Sequence, residues 1–153
     1  MSDDAIRWPA PYDPSVSPVH CVNRLAIARP ADAVWDRLIK AGDWPDWYAN
    51  ASNVVIDGGA DALSEGSSFT WTTFGVRLKP RVLEFVPGER IAWLAKSPGV
   101  VAYHAWLIVP TPDGCDVLTE ETQHGILARA ARLMFPKRME TWHQRWLEGL
   151  AEA

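Results

Sequence analysis

Cysteine is nearly absent from the 153-residue chain, which contains only Cys21 and Cys115. The two form no CxxC pair and no short-range spacing pattern, which argues against a small disulfide-stapled scaffold and favours reduced thiols. The four histidines are equally dispersed, without an HExxH motif or a Cys/His cluster. The sequence therefore predicts no metal site.

Long apolar runs and basic clusters are also lacking. No segment approaches the ~20 apolar residues that a membrane-spanning helix needs, and the first residues have no basic or apolar region of the signal-peptide type. Lys and Arg number 15 against 19 Asp and Glu, a net charge of −4, which does not suit a phosphate backbone. We therefore expect a cytoplasmic protein with no membrane span and no nucleic-acid partner.

Motifs for covalent catalysis and nucleotide binding are missing as well. The chain has no Ser/His/Asp spacing, nucleophile elbow, phosphate-binding glycine loop or dinucleotide fingerprint, so no cofactor is expected. Tryptophan, in contrast, is abundant, with nine residues in a chain of single-domain length. Nine indoles exceed what packing alone usually requires, and this excess is the first indication of a binding site.

Turn-forming residues divide the chain into a tail and one domain. Four prolines within residues 1–18 hinder regular pairing and predict an extended N-terminal tail, with a single domain over residues 19–153. Seven segments have the composition of strands, and short turns rich in Gly, Pro and Asp between them predict antiparallel hairpins. The predicted strands are 19–28, 53–57, 67–74, 76–85, 90–96, 100–109 and 116–124.

Helical patterns occur in two places. Two short helices are expected after the first strand, at 31–40 and 44–48, and a long C-terminal helix is expected over 126–152. Pro136 interrupts the long helix, which predicts a kink or two abutting helices. The residues that mark its apolar face are Ile126, Ala130, Leu133, Met139, Trp142, Trp146 and Leu150. This helix is the only element long enough to cover the apolar face of the sheet, which predicts an α+β domain with a cavity between them.

Five ordered stretches of sequence support this architecture by resemblance. They are RPADAVW at 29–35, WPDW at 44–47, GSSF at 66–69, EFVPGERIAW at 84–93 and TEET at 119–122. In this order they resemble the helix-grip superfamily of Bet v 1 and START-related (SRPBCC) proteins, specifically its polyketide cyclase/dehydrase-like branch. The resemblance implies a helix-grip fold, in which a seven-stranded curved antiparallel sheet wraps around the kinked C-terminal helix. Its members include carriers, lipid binders, cyclases, receptors and chaperone cofactors, so it selects no single activity.

Charge alternation predicts which residues of three strands face inward. In the strand 76–85, Arg77, Lys79 and Arg81 share one face, which leaves Val82 and Glu84 on the other. By the same argument the inward residues of two other strands include Phe69, Trp71 and Trp93.

For two strands the sequence does not predict which face points inward, because the two faces do not differ clearly in polarity. In 100–109, Tyr103 lies on one face and His104 and Trp106 on the other. In 116–124, Glu121 alternates with neighbours that are equally polar. All four remain candidate ligand-binding residues.

The final helix supplies the strongest predicted pocket residues, Trp142 and Trp146, which lie four apart and share a face. We expect Trp142→Ala to weaken binding of a hydrophobic fluorescent probe. Any carboxylate or imidazole inside an apolar cavity would have a shifted pKa and could transfer protons. The residues that could do so are Glu84, His104, Glu121 and His143.

Three functions fit the sequence. The first is a binding protein for a small hydrophobic ligand that is aromatic, lipid-like or polyketide-like. The second is a cyclase or dehydratase-type enzyme in which a cavity Glu, His or Tyr transfers protons. The third is a co-chaperone-like interaction module, which would have a filled interior and an exposed apolar patch. A monomer and a homodimer are both compatible with the sequence.

Overall fold

The computed structural model describes residues 4–152, which form eight strands and four α-helices with short 3₁₀ turns between some of them. The strands are β1 Val19–Ile27, β2 Ser52–Ile56, β3 Phe69–Thr73, β4 Val76–Leu78, β5 Arg81–Val86, β6 Arg90–Ser97, β7 Val100–Thr111 and β8 Gly114–His124. The helices are α1 Ala31–Ile39, α2 Trp44–Trp47, α3 Ile126–Met134 and α4 Arg138–Ala151. All pairings are antiparallel, in the orders β1-β8-β7-β6-β5 and β2-β3-β4.

The strand count is eight rather than the predicted seven, because the segment 76–85 divides at Pro80. Proline has no N–H to donate to a strand ladder, so β4 and β5 belong to different sheets. The two sheets still meet here: Phe69 N–H donates to the Pro80 carbonyl at 3.1 Å, and Val82 N–H donates to the Ser67 carbonyl at 2.8 Å. The eight strands therefore form one interrupted wall around the interior.

The C-terminal region forms two helices, the second of the two arrangements that Pro136 allowed. The helical path ends at Phe135, whose φ of −133° and ψ of 70° fit the restriction on a residue that precedes proline. Helix α4 packs along β1. Its inward face consists of Met139, His143, Trp146, Leu147 and Leu150.

The apolar side of helix α3 faces solvent, whereas the sequence predicted that it would face the sheet. Ile126 and Leu133, predicted to face the sheet, are exposed, and Ala128 is the only residue of α3 that is fully buried. The start of α3 is fixed against the turn between β6 and β7, since the N–H groups of Leu127 and Ala128 both donate to the Gly99 carbonyl. Gly125 makes this approach feasible: its φ is +110°, and a Cβ there would collide with that carbonyl.

Tryptophan and other aromatic rings fill the core at one end of the interior. The ring of Trp44 lies 5.0 Å from that of Trp146 and 5.3 Å from that of Trp71, and its Nε1–H donates to the Leu38 carbonyl at 2.9 Å. The indole is fully buried, so this hydrogen bond satisfies a donor that would otherwise be costly to desolvate.

The N-terminal segment covers the outer face of the five-stranded sheet. Residues 1–3 of the predicted tail lie outside the described part, and residues 4–18 contain turns at Ala10–Tyr12 and Pro14–Val16 rather than a continuous extended chain. The Tyr12 ring stacks on Tyr103 at 5.4 Å, and Ile6 is buried in the same outer cluster. The sheet is therefore covered on both faces. Within residues 4–152 no helix combines the length and hydrophobicity needed to cross a membrane.

Candidate functional site

A row of side chains crosses the inner face of the five-stranded sheet at one level. Trp93 on β6 pairs with His104 on β7, and His104 pairs with Glu121 on β8. Glu121 in turn pairs with Cys21 on β1. Because directly paired residues of antiparallel strands point to the same face, the strand register aligns all four side chains beneath α4.

Helix α4 adds a fifth member to this row. Met139, His143, Trp146 and Leu150 follow each other at steps of four, three and four residues, so they share one helix face. His143 Nδ1 lies 3.3 Å from Cys21 Sγ, and its Nε2 lies 3.7 Å from Glu121 Oε1. Its ring stacks on that of His104 at 4.6 Å. Glu121 therefore lies between two buried imidazoles.

The hydrogen bonds around His104 define which of its nitrogens carries the proton. The hydroxyl of Thr119 donates its hydrogen to the Ala105 carbonyl at 3.1 Å, so it can only accept from His104 Nε2, which is 2.7 Å away. A neutral His104 then has its proton on Nε2 and an unprotonated Nδ1. That Nδ1 faces Glu121 Oε1 at 3.1 Å, so a proton has to lie between two acceptor atoms.

Burial determines where that proton is held. Burial raises the pKa of Glu121 to about 7, although a hydrogen bond from the Gln123 side chain opposes the rise. Burial also lowers the pKa of His104 well below its ordinary value, with a further contribution from His143. Desolvation lowers the pKa of His143 to about 4, against the opposing effect of Glu140. A neutral Glu121 that donates to a neutral His104 is the arrangement that these shifts favour.

This cluster forms part of the wall of a cavity of about 290 Å³ between the sheet and the C-terminal helices. The remaining wall is mainly apolar and aromatic. It includes Trp71, Phe74, Leu78, Trp93, Ala95, Leu127, Ala131, Phe135, Met139 and Trp146. A wider depression of about 740 Å³ along α4 is lined mostly by polar side chains and lies outside the interior. The interior cavity is thus the candidate ligand site.

The structure places half of the predicted ligand-binding residues in the wall of the cavity. Six of them line the cavity: Trp71, Trp93, His104, Glu121, His143 and Trp146. Three others, Phe69, Val82 and Trp106, are buried in the aromatic core and are not part of the cavity wall. The direction that remained open for β7 and β8 is thereby resolved, with His104, Trp106 and Glu121 facing inward.

Glu84 and Tyr103 require correction, because the structure places both on the outer face of the sheet. A β-bulge between Val82 and Glu84 shifts the register, so that Glu84 pairs with the outward-facing Ala92. The inserted residue reverses the alternation that the charge pattern had established. Tyr103 lies in the outer cluster beneath the N-terminal segment.

Trp142 also lies outside the cavity, contrary to the expectation from its spacing with Trp146. It is half-buried at the edge of the core, 6.2 Å from the ring of Tyr48, and the guanidinium of Arg145 lies 4.6 Å above it. The inward face of α4 is centred on His143 and Trp146, and a helical step of one residue rotates Trp142 away from it.

Several residues at the site were not identified from the sequence. Cys21, which contacts His143 but does not line the cavity, could have been found from the alternation Val19, Cys21, Asn23 in β1. Tyr48, which stacks on Trp146 at 4.6 Å, follows a short helical turn and carries no periodic signal. Burial raises the pKa of the Tyr48 hydroxyl, so this residue offers the cavity a protonated phenol.

The cluster could also hold a metal ion, although the dispersed histidines gave no such indication in the sequence. One ligand atom from each of His104, Glu121 and His143 lies within 4.8 Å of the other two. Two imidazoles and a carboxylate are a donor set that suits zinc or non-haem iron with open coordination positions. Tertiary pairing, rather than sequence spacing, creates this convergence.

The sheet wrapped beneath a C-terminal helix, with a cavity between them, defines a helix-grip protein of the Bet v 1-like (SRPBCC) class. Residues 19–153 match the model of the family described as polyketide cyclase / dehydrase and lipid transport, and the chain belongs to this family. None of the curated proteins compared with the chain matches it significantly.

Solved structures share the fold. The hypothetical protein jhp0584 from Helicobacter pylori has a TM-score of 0.90 and 28% identity, over 99% of this chain and 96% of that one. Norcoclaurine synthase from Thalictrum flavum has a TM-score of 0.68 and 16% identity, over 88% and 91% of the two chains. The di-domain ARO/CYC StfQ from the steffimycin biosynthetic pathway has a TM-score of 0.70 and 15% identity; the match covers 87% of this chain and 49% of StfQ.

Proposed function

We propose that this protein binds a small, mainly aromatic molecule in the internal cavity, with a polar group of the ligand directed at Glu121 and His143. The observation that carries the proposal is a cavity with a mainly apolar wall and one compact, buried polar cluster. This combination is typical of ligand sites, in which apolar contact provides affinity and a few polar groups fix orientation.

The size of the cavity limits the ligand class. A volume of about 290 Å³ is roughly twice the ~150 Å³ engineered cavity that takes up benzene, and it lies at the lower end of ligand pockets. A molecule of two or three fused rings is of suitable size, whereas a two-chain lipid is far too large to be enclosed. Of the ligand classes that the sequence left open, the volume therefore favours an aromatic or cyclised polyketide-like molecule.

The donors in the wall suit an oxygen-bearing ligand. Among the described residues, the indole N–H groups of Trp71 and Trp146 are buried without a hydrogen-bond partner, and both residues belong to the cavity wall. A carbonyl or hydroxyl oxygen of a ligand would provide the partner that these donors lack. The protonated Tyr48 hydroxyl adds a third potential donor.

Proton transfer of the cyclase or dehydratase type is the second candidate function. Three polar groups converge in the cavity wall, and the pKa of Glu121, at about 7, suits a group that both donates and accepts protons near neutrality. The family description and the fold shared with an ARO/CYC protein and norcoclaurine synthase are compatible with this chemistry. The third candidate, a co-chaperone-like module, required a filled interior, and the cavity does not fit that requirement.

A cavity-filling variant tests the binding proposal. Ala131 on α3 lines the cavity, so Ala131→Leu should reduce the affinity for an aromatic probe such as 8-anilinonaphthalene-1-sulfonate by about tenfold or more. Ala60 is exposed and does not line the cavity, which makes Ala60→Leu the matched control with unchanged affinity. Fluorescence titration measures both, and native mass spectrometry of freshly purified protein would detect a retained molecule. Equal affinities of the two variants would refute binding in this cavity.

A further inference from the structure

Helix α3 and the residue after it present large apolar side chains to solvent. Exposed fractions are 78% for Ile126, 56% for Leu127, 84% for Leu133 and 69% for Met134. Phe135 is 47% exposed. Because residues three, four, seven and eight apart share a helix face, Ile126, Ala130, Leu133 and Met134 form one outward stripe, which we call the α3 face together with Leu127 and Phe135.

The concentration of these residues is unusual for a surface exposed to water. Single exposed apolar residues are ordinary, whereas a contiguous set marks an interaction surface. Of the ten large hydrophobic side chains that are exposed within residues 4–152, five lie between Ile126 and Phe135. The α3 face therefore requires an occupant that is itself apolar.

Charge identifies the chemistry of that occupant. Residues 125–139 contain four basic residues and no acidic one, in a chain whose net charge is −4. Arg132 is paired with Glu140, but Arg129, Lys137 and Arg138 are exposed beside the apolar stripe. A second copy of the chain would bring the same positive charges together across a symmetric interface, whereas an anionic lipid headgroup layer would neutralise them.

From these observations we infer that the α3 face docks on the surface of an anionic lipid bilayer, with its apolar side chains in the interfacial region and its basic residues at the headgroups. An amphipathic helix with a basic border binds membranes in this orientation. Helix α3 is only nine residues long, but it is held in place by the domain, so binding does not incur the cost of folding the helix.

The position of α3 gives this surface a connection to the interior. Leu127, Ala131 and Phe135 line the cavity, and Leu127 and Phe135 also belong to the α3 face. An apolar molecule dissolved in the bilayer would therefore meet the cavity wall across a single layer of side chains. This second step rests on the proposed function, whereas the docking itself requires no cavity ligand.

Vesicle co-sedimentation of the full chain tests the docking. The wild type should bind vesicles of phosphatidylglycerol and phosphatidylcholine, and bind pure phosphatidylcholine vesicles much more weakly. The double variant Ile126→Ser/Leu133→Ser should lose at least about tenfold in binding, since both side chains would lose apolar burial. The variant Arg129→Gln/Lys137→Gln should lose about fivefold in binding for each cation, and its remaining binding should be less sensitive to salt.

Matched controls distinguish binding through the α3 face from nonspecific hydrophobic adsorption to vesicles. Val55→Ser and Leu83→Ser remove side chains that are 63% and 50% exposed on other parts of the molecule, and should leave vesicle binding unchanged. Equal binding of Ile126→Ser/Leu133→Ser and the wild type would overturn the proposal. So would a dimer in native mass spectrometry that the same double variant dissociates, because the occupant would then be a second copy. Probe titration of the cavity without vesicles reports on the proposed function separately.

Discussion

His104 Nδ1 lies 3.1 Å from Glu121 Oε1, on paired positions of β7 and β8 in the buried interior. Thr119 orients the opposite nitrogen of the imidazole, so the two facing atoms are both acceptors unless one is protonated. Burial of the carboxyl group favours its neutral form, which can donate to the imidazole. The protonation state of this pair is consequently coupled to the stability of the fold.

Glu121→Gln should change the dependence of stability on pH. The pKa of Glu121 is raised to about 7 in the folded protein, so its favourable contribution is complete below about pH 4.5 and is lost as the pH rises through 7. Glutamine imitates the neutral acid, with an N–H that can donate to His104. We therefore expect the unfolding free energy of the variant to rise relative to that of the wild type as the pH increases. The change from pH 5 to pH 8 should be on the order of 2–3 kcal/mol.

Chemical denaturation of both proteins across this range measures the difference. The lowered pKa values of His104 and His143 reduce the stability of both proteins below about pH 6.5, and this contribution largely cancels in the comparison. A difference in unfolding free energy that is constant from pH 5 to pH 8 would show that Glu121 is ionised throughout.

Cys21 and Cys115 should be inert towards thiol reagents in the folded protein. Both are free and buried. Burial raises the pKa of each thiol, most strongly that of Cys21, where Glu121 adds to the effect. Because the thiolate is the reactive form, modification by 5,5′-dithiobis(2-nitrobenzoic acid) at pH 8 should proceed at the rate of unfolding. Immediate reaction of one thiol per chain would contradict this placement.

The N-terminal segment should contribute to stability through its contact with Tyr103. The Tyr12 and Tyr103 rings are stacked with an angle of 8° between their planes, and the Thr122 hydroxyl donates to the Tyr12 carbonyl. We expect Tyr12→Ala to cost about 1–2 kcal/mol in thermal or chemical unfolding, through lost stacking and apolar burial. Val16→Ala provides a control in the same segment, because Val16 is 59% exposed. Equal losses of unfolding free energy in the two variants would argue against this contact between the N-terminal segment and the sheet.

The sequence predicted the fold more completely than the direction of individual side chains, for reasons that particular residues illustrate. Glycine- and proline-rich turns defined the hairpins, and Pro136 marked the break before α4. The sequence did not predict which face of β7 points inward, because the N-terminal segment covers the outer face and Tyr103 and His104 are equally buried. The bulge that turns Glu84 outward has no compositional signature, and the outward apolar stripe of α3 looks like a core face in the sequence.

The polar cluster should give the cavity a preference for ligands that carry an oxygen, and His143 is the residue that tests it. Naphthol and naphthalene have almost the same shape, and we expect naphthol to bind about tenfold more tightly, through a hydrogen bond worth roughly 1–1.5 kcal/mol. His143→Leu replaces a fully buried imidazole with an apolar side chain, which the fold should tolerate, and it should abolish most of the preference.

Trp142→Ala is the control for this measurement. The sequence favoured Trp142 as a pocket residue, but the structure places it beside Tyr48 and Arg145 at the edge of the core. Its truncation should therefore alter neither affinity by more than about twofold, whereas His143→Leu should weaken naphthol binding and leave naphthalene binding nearly unchanged. If both ligands lost affinity equally in His143→Leu, the imidazole would contribute packing alone, and the polar group of the natural ligand would have to be directed at Trp71 or Tyr48 instead.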